Sequence, residues 1–87
     1  MEVILHRSFK KKFKKLHPKI KDQFFERAGL FLNDKFHPLL NNHSVEKVFF
    51  DSRSINITGD YRAIFREEEK GEAVIFTDIG THSELYG

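Results

Sequence analysis

The chain contains no cysteine. Neither a disulfide nor a thiolate metal site can therefore staple the fold, and a reducing compartment suits it. It has no apolar run near the roughly 20 residues that cross a bilayer. The N-terminal MEVILHRSF offers four apolar residues before His6, too few for the core of a secretion signal. These absences predict a cytoplasmic protein with no membrane partner. Internal repeats, low-complexity segments and linker-like stretches are also missing. An 87-residue chain allows a single domain, residues 1–87, with one small core.

What is present is a soluble globular composition, 39% hydrophobic and 32% charged, with ten phenylalanines to fill the core. Each ring removes a large apolar area from water, which suits a small domain. Net charge is only +2, but the charge is unevenly spread. KKKFKK places Lys10, Lys11, Lys12, Lys14 and Lys15 in six positions, and REEEKGE gathers four glutamates at Glu67 to Glu72. A basic patch attracts phosphate or an acidic protein, with an effect that fades in salt. A solvated helix face is the other reading of the same run.

The hydrophobic period predicts the elements. EVILH reads as a first strand, and Ser8 offers a helix N-cap. Phe9, Phe13 and Leu16 fall at helical spacing, which predicts a helix from about Phe9 to Leu16. Pro18 is tolerated in a first turn, and Ile20, Phe24, Ala28 and Phe31 carry a second helix from about Pro18 to Asn33. DKFHPLLNNHS reads as a loop. The period then becomes two. VEKVFF, RSINIT and YRAIFR read as strands, with Gly59-Asp60 as a positive-φ turn between the last two. Lys70-Gly71 turns again, and AVIFTDI is a nearly continuous apolar strand expected inside the sheet. The fold class is α+β, with an N-terminal strand and an α-hairpin packed on a curved antiparallel sheet.

HPLLNNH, RSINITGDYRAIF and IGTHSELYG, in that order behind a strand and an α-hairpin, resemble the RelE/ParE superfamily of toxins, and within it the YafQ-like group of RelE toxins. GDYR alone is a weak signal; GDYRAIF followed by GTHSELYG is fairly specific. The likeness covers the whole chain in layout and roughly half of it in motif. It implies the RelE-like fold and a metal-independent endoribonuclease that cuts messenger RNA on the ribosome. In that reaction a ribose 2′-OH attacks the adjacent phosphate and the 5′-oxygen leaves. The partners implied are a cognate antitoxin, the ribosome and messenger RNA, with operator DNA reached only through the antitoxin.

Such a reaction needs a proton acceptor, cations beside the phosphate, an acid for the leaving oxygen and a ring to hold a base. His82 matches the family's C-terminal His or Arg, and Tyr86 its C-terminal aromatic. Arg62 matches the phosphate-binding Arg, and Arg53 is a second phosphate candidate. Asp60 and Tyr61 match the acid and aromatic of the same turn, and His43 the loop His before the second strand. Lys10 to Lys15 would dock ribosomal RNA. Each has a plain alternative: a surface His, a tail clasp for Tyr86, a sheet ion pair for Arg62, a turn former for Asp60. His37, His43 and His82 raise a metal site, but there is no i, i+4 ligand pair and no Cys, so neither metal nor cofactor is expected. Two departures stand out. Asn56 occupies a position where the group carries a further His, and Val45 to Ser52 lack the glycines and Tyr of the family's Gly-rich segment. Two other readings follow: a ParE-like inhibitor of DNA gyrase without a nuclease site, or a decayed toxin that only binds its antitoxin. His82 with Tyr86 argues against the gyrase reading. The closing THSELYG is expected to be ordered and to return along the sheet, with His82 and Tyr86 facing Arg62.

Overall fold

Phe9, Phe13, Phe24 and Phe31 recur at helical spacing early in the chain, and in the computed structural model, which describes residues 1–87, they pack together against one face of a sheet. The element order is β1 (Glu2–Leu5), α1 (Arg7–Phe13), α2 (Pro18–Asn33), β2 (His43–Ser44), β3 (Arg53–Asn56), β4 (Tyr61–Glu68), β5 (Ala73–Thr81) and α3 (His82–Tyr86). Short 3₁₀ turns lie at Pro38–Leu40 and Glu69–Gly71. The five strands form one sheet in the order β1-β5-β4-β3-β2. β2 to β5 are antiparallel neighbours, and β1 closes the other edge by pairing parallel with β5. This is the expected α+β fold, with AVIFTDI inside the sheet.

The sheet is covered on both faces. Under the helices, Phe9, Phe24 and Phe31 meet Ile55, Ile57, Ala63, Phe65, Val74, Phe76 and Ile79 in the main core. On the opposite face Val45, Ile64 and Leu85 form a smaller cluster, with Phe49 and Tyr86 packed against it. Two-sided burial explains why Ala63, Ile64 and Phe65 are all fully buried in a row. The β4–β5 register shifts between Ile64 and Phe65, which pair with Asp78 and Phe76 and so leave Thr77 as the extra residue of a bulge.

Four expectations are corrected. α1 begins at Arg7, not Phe9, and its N-cap is His6, not Ser8. The Ser8 hydroxyl instead donates to the Thr77 carbonyl in the bulge (2.8 Å). VEKVFF is not a strand. Phe49 N–H donates back to the Val45 carbonyl (2.9 Å), a helical turn that points Val45 and Phe49, four residues apart, into the small cluster. The strand here is only His43–Ser44. Neither Gly59 nor Asp60 has a positive φ. The Thr58 hydroxyl holds that turn by accepting from Asp60 N–H (3.2 Å) and Tyr61 N–H (3.0 Å). The Lys70-Gly71 turn does use the left-handed region, at Glu69, Lys70 and Gly71.

Three histidines are absorbed by capping. His6, His17 and His37 each offer Nδ1 to the backbone N–H two residues on, at the starts of α1, α2 and the Pro38 turn. An acceptor Nδ1 carries no proton, so the capping tautomer places the ring hydrogen on Nε2. The two others, His43 and His82, stand on the far side of the sheet.

Candidate active site

Strand parity decides which side chains meet. Side chains alternate across a strand, and Arg62 lies opposite Asn56, two residues from Ile64 of the small cluster. Arg62 therefore faces away from the helices. His43 lies opposite Ser54, which lies opposite Ile64, on the same face. Arg62, His43 and Ser54 line one open cavity of about 390 Å³ together with Asn41, Ser44, Val45, His82 and Tyr86.

α3 brings the last two residues in. Thr81 caps it: its hydroxyl accepts from Glu84 N–H (3.2 Å), and the Glu84 carboxylate accepts from Thr81 N–H (2.7 Å). Gly80 lets the helix fold back, because a Cβ there would sit 3.2 Å from Glu84 Oε1 and 3.5 Å from Leu85 Cγ. His82 N–H donates to the Asp60 carbonyl (3.1 Å), tying α3 to the β3–β4 turn. His82 and Tyr86, four residues apart, then share one side, with ring centroids 4.7 Å apart, and Phe49 meets Tyr86 edge-on at 5.8 Å. The C-terminal stretch thus forms a short helix, and His82 and Tyr86 line the same cavity as Arg62.

The bonds to Thr81, from its backbone N–H first and its hydroxyl second, hold the Glu84 carboxyl below the ordinary carboxylate range against the opposing effect of desolvation, and the positive Lys12 adds a lesser lowering. A carboxyl depressed in the folded state stabilises above its unfolded pKa, and the gain is lost as pH falls through the folded value. The capping box should therefore hold at neutral pH and weaken only in acid. Thr81→Ala is expected to cost about 1 kcal/mol. Urea unfolding would read the loss, with faster hydrogen exchange at Tyr86 and Gly87; unchanged exchange there would contradict this account of α3.

The polar groups differ in how they are held. His43 Nδ1 lies 2.7 Å from the Asn41 carbonyl. A carbonyl only accepts, so Nδ1 carries a proton, and in the neutral ring the lone pair is on Nε2. Asn41 adopts φ +47, a left-handed conformation that Asn tolerates. Arg62 Nη1 donates to the Thr58 and Tyr61 carbonyls, both at 3.1 Å. Nη2 and Nε remain for another acceptor. Ser54 Oγ and Asn56 Oδ1 are buried without a partner. An unpaired buried hydroxyl is costly, so Ser54→Ala is expected to raise the unfolding free energy by about 1 kcal/mol; a lower urea midpoint would mean that Ser54 is satisfied.

The other candidates lie elsewhere. Asp60 reaches His82 through its backbone carbonyl, and its carboxylate does not line the cavity. Arg53 is on the helix face, where Nε donates to Asn42 Oδ1 (2.8 Å) and the guanidinium lies over the Phe36 ring. Tyr61 also faces the helices and packs on the main core. It borders a separate cavity of about 350 Å³ with Lys12, Lys15, Leu16, His17, Ile79 and Glu84. Lys12 pairs there with Asp78 at 2.7 Å. Lys10, Lys11 and Lys14 line an open groove with His6, Arg7 and Ser8. No three His, Asp or Glu side chains converge as metal ligands would. Ser54, Asn41 and Phe49 were missed by sequence reasoning; the two-residue offset of Ser54 from Asn56 was the available signal for the first.

A family model described as "ParE toxin of type II toxin-antitoxin system, parDE" matches residues 3–86. No curated protein matches significantly. Among solved structures, the chain is similar to YafQ from E. coli strain BL21(DE3), with TM-score 0.79 at 18% identity over 99% of this chain and 98% of that one. It is also similar to the E. coli DinJ-YafQ toxin-antitoxin complex, with TM-score 0.77 at 18% identity over 99% and 97%. The RelBE2 toxin-antitoxin complex from Mycobacterium tuberculosis gives TM-score 0.71 at 20% identity over 93% and 96%. At these identities the solved structures speak to the fold.

Proposed function

This chain belongs to the ParE toxin family of type II toxin–antitoxin systems, and from that premise we propose that it is a ribosome-dependent endoribonuclease that cleaves messenger RNA without a metal. The observation that carries the reading is the single cavity lined by two histidines, an arginine and a tyrosine: His43, His82, Arg62 and Tyr86.

Each has a role in 2′-OH attack. His43, with Nδ1–H held by Asn41, offers Nε2 to take the 2′-proton. The 2′-oxygen bonds to phosphorus, and the free donors of Arg62 stabilise the charge that builds on the phosphate oxygens. The bond from phosphorus to the 5′-oxygen breaks, and the His82 imidazolium supplies the proton that the leaving oxygen needs. The products are a 2′,3′-cyclic phosphate and a 5′-hydroxyl. Tyr86 offers a face on which a base can stack.

On this reading the lysines of α1 contact ribosomal RNA. The antitoxin presents acidic and apolar residues to that basic surface or to the cavity, and it carries any contact with operator DNA. The protein acts in the cytoplasm, where its substrate is translated. The wording of the family match favours a second reading, a fold that binds and inhibits DNA gyrase with no chemistry of its own.

Primer extension on a messenger RNA in a purified translation system separates them. The nuclease reading expects cuts that need ribosomes and disappear in His82→Ala and Arg62→Ala. Growth arrest without cuts would sink it in favour of gyrase, and the loss of both would leave a protein that only binds its antitoxin.

A further inference from the structure

The turn that replaces the expected VEKVFF strand builds a second cavity beside the first. It measures about 370 Å³ and is lined by Ser44, Val45, Glu46, Lys47, Val48 and Tyr86. Ser44, Val45 and Tyr86 line both cavities, which places the two side by side at the Tyr86 ring. Their chemistry differs. The first is polar, with His43, His82 and Arg62 able to face a phosphate. The second has two valines and the Tyr86 ring for walls, with one carboxylate and one ammonium alongside.

The turn is well held. Val45 N–H donates to the Ser52 carbonyl, and the Val48 and Phe49 N–H groups both donate to the Val45 carbonyl, each at 2.9 Å. Phe49 is wedged against Tyr86, fixing one edge of the shared ring. Val48 nevertheless stays 56% exposed, an apolar side chain that the fold itself does not cover.

We infer that the 45–48 turn forms a nucleobase subsite, which takes the base of a nucleotide flanking the phosphate held in the first cavity. An unstacked base has apolar faces and a polar edge. The exposed Val48 and the Tyr86 ring contact the faces, and Val45 holds the turn from the core side. The Glu46 carboxylate accepts from an exocyclic or ring N–H, and the Lys47 ammonium donates to a ring nitrogen or carbonyl. The subsite deepens the nuclease reading and rests on it, since it supplies that reaction with a base preference.

The test pairs binding with cut mapping. Adenosine, cytidine, guanosine and uridine 5′-monophosphates are titrated into the protein while amide shifts are followed by NMR, with inorganic phosphate as the control probe. Shifts are expected at Val45, Lys47, Val48 and Tyr86 with nucleotides and not with phosphate. Val48→Ser, an exposed change that leaves the core intact, should raise the nucleotide Kd by about 3- to 10-fold, the order of one lost apolar contact with a stacked base. Glu46→Gln and Lys47→Ala should redistribute cuts among the four bases next to the cleaved bond. Shifts confined to His43, Arg62 and His82 and equal for phosphate, or a cut distribution unchanged in all three variants, would overturn the subsite. Nucleotide shifts at the turn in a protein that cuts no RNA would keep the subsite and remove the nuclease.

Discussion

His82→Ala should lower RNA cleavage by about 10²- to 10⁴-fold, the usual contribution of a positioned acid or base, with little change in stability, since no side-chain hydrogen bond of the fold depends on its imidazole. His82→Gln should be as inactive: the amide keeps polarity and size but carries no proton to give at neutral pH. Arg62→Ala should lose about 10²- to 10³-fold, the range for removing one group that meets developing charge. Arg62→Lys should recover only part of it, because an ammonium cannot present two parallel donors to a phosphate. His37→Ala is the control. It removes the cap of the Pro38 turn, and cleavage per folded molecule should stay at the wild-type rate. Single-turnover cleavage measured on one messenger RNA checks the series. Equal loss in His37→Ala and His82→Ala would mean that the rates report folding rather than chemistry.

Phe76→Ala carries the largest expected effect on stability, about 3–5 kcal/mol. Phe76 sits on β5 with its ring fully buried. Its centroid lies 5.3 Å from Phe24, 5.5 Å from Phe65, 5.8 Å from Phe9 and 6.1 Å from Phe31. Those four rings come from both helices and the neighbouring strand, so one deletion opens a void that no single element can close by shifting. Domains of this size have about 5–15 kcal/mol in all. The variant should unfold at a much lower urea concentration and fail to accumulate at elevated temperature. Phe50→Ala removes the same ring from a position 87% exposed and should change stability by under about 0.5 kcal/mol. Comparable urea midpoints for the two variants would contradict the burial argument.

The helical period placed α2 at both of its ends, because Pro18 and the spacing of Phe24 and Phe31 act locally. The period also carried the meander, and GTHSELYG carried the closing element of the site. VEKVFF was misjudged for a physical reason. Val45 and Phe49 stand at i and i+4, which suits a helical turn as well as an alternating strand. The packing of Ile64, Leu85 and Tyr86, which lie far along the chain, selects the turn. Ser8 had a capping side chain, but the bulge at Thr77 exposes a carbonyl that takes its hydroxyl, and no local pattern announces a bulge. Of the candidate site residues, His43, Arg62, His82 and Tyr86 converge. Arg53 and Tyr61 fall on the helix face. Parity along the two strands contained that division: Tyr61 and Arg62 are adjacent and must point to opposite faces. Motif matching treats such neighbours as one unit, whereas the sheet separates them.

The central claim is that the ribose beside the cut supplies the nucleophile within the cavity of His43, Arg62 and His82. The most direct measurement places a single 2′-deoxynucleotide on the 5′ side of the mapped cut in an otherwise unmodified messenger RNA. That RNA is translated with the protein in a purified system, and its ends are compared with those of the all-ribose control. The account predicts that the control is cut to a 2′,3′-cyclic phosphate and that the deoxy position stays intact. Cutting at the deoxy position at the control rate would show that the 2′-OH does not attack, and would contradict the account.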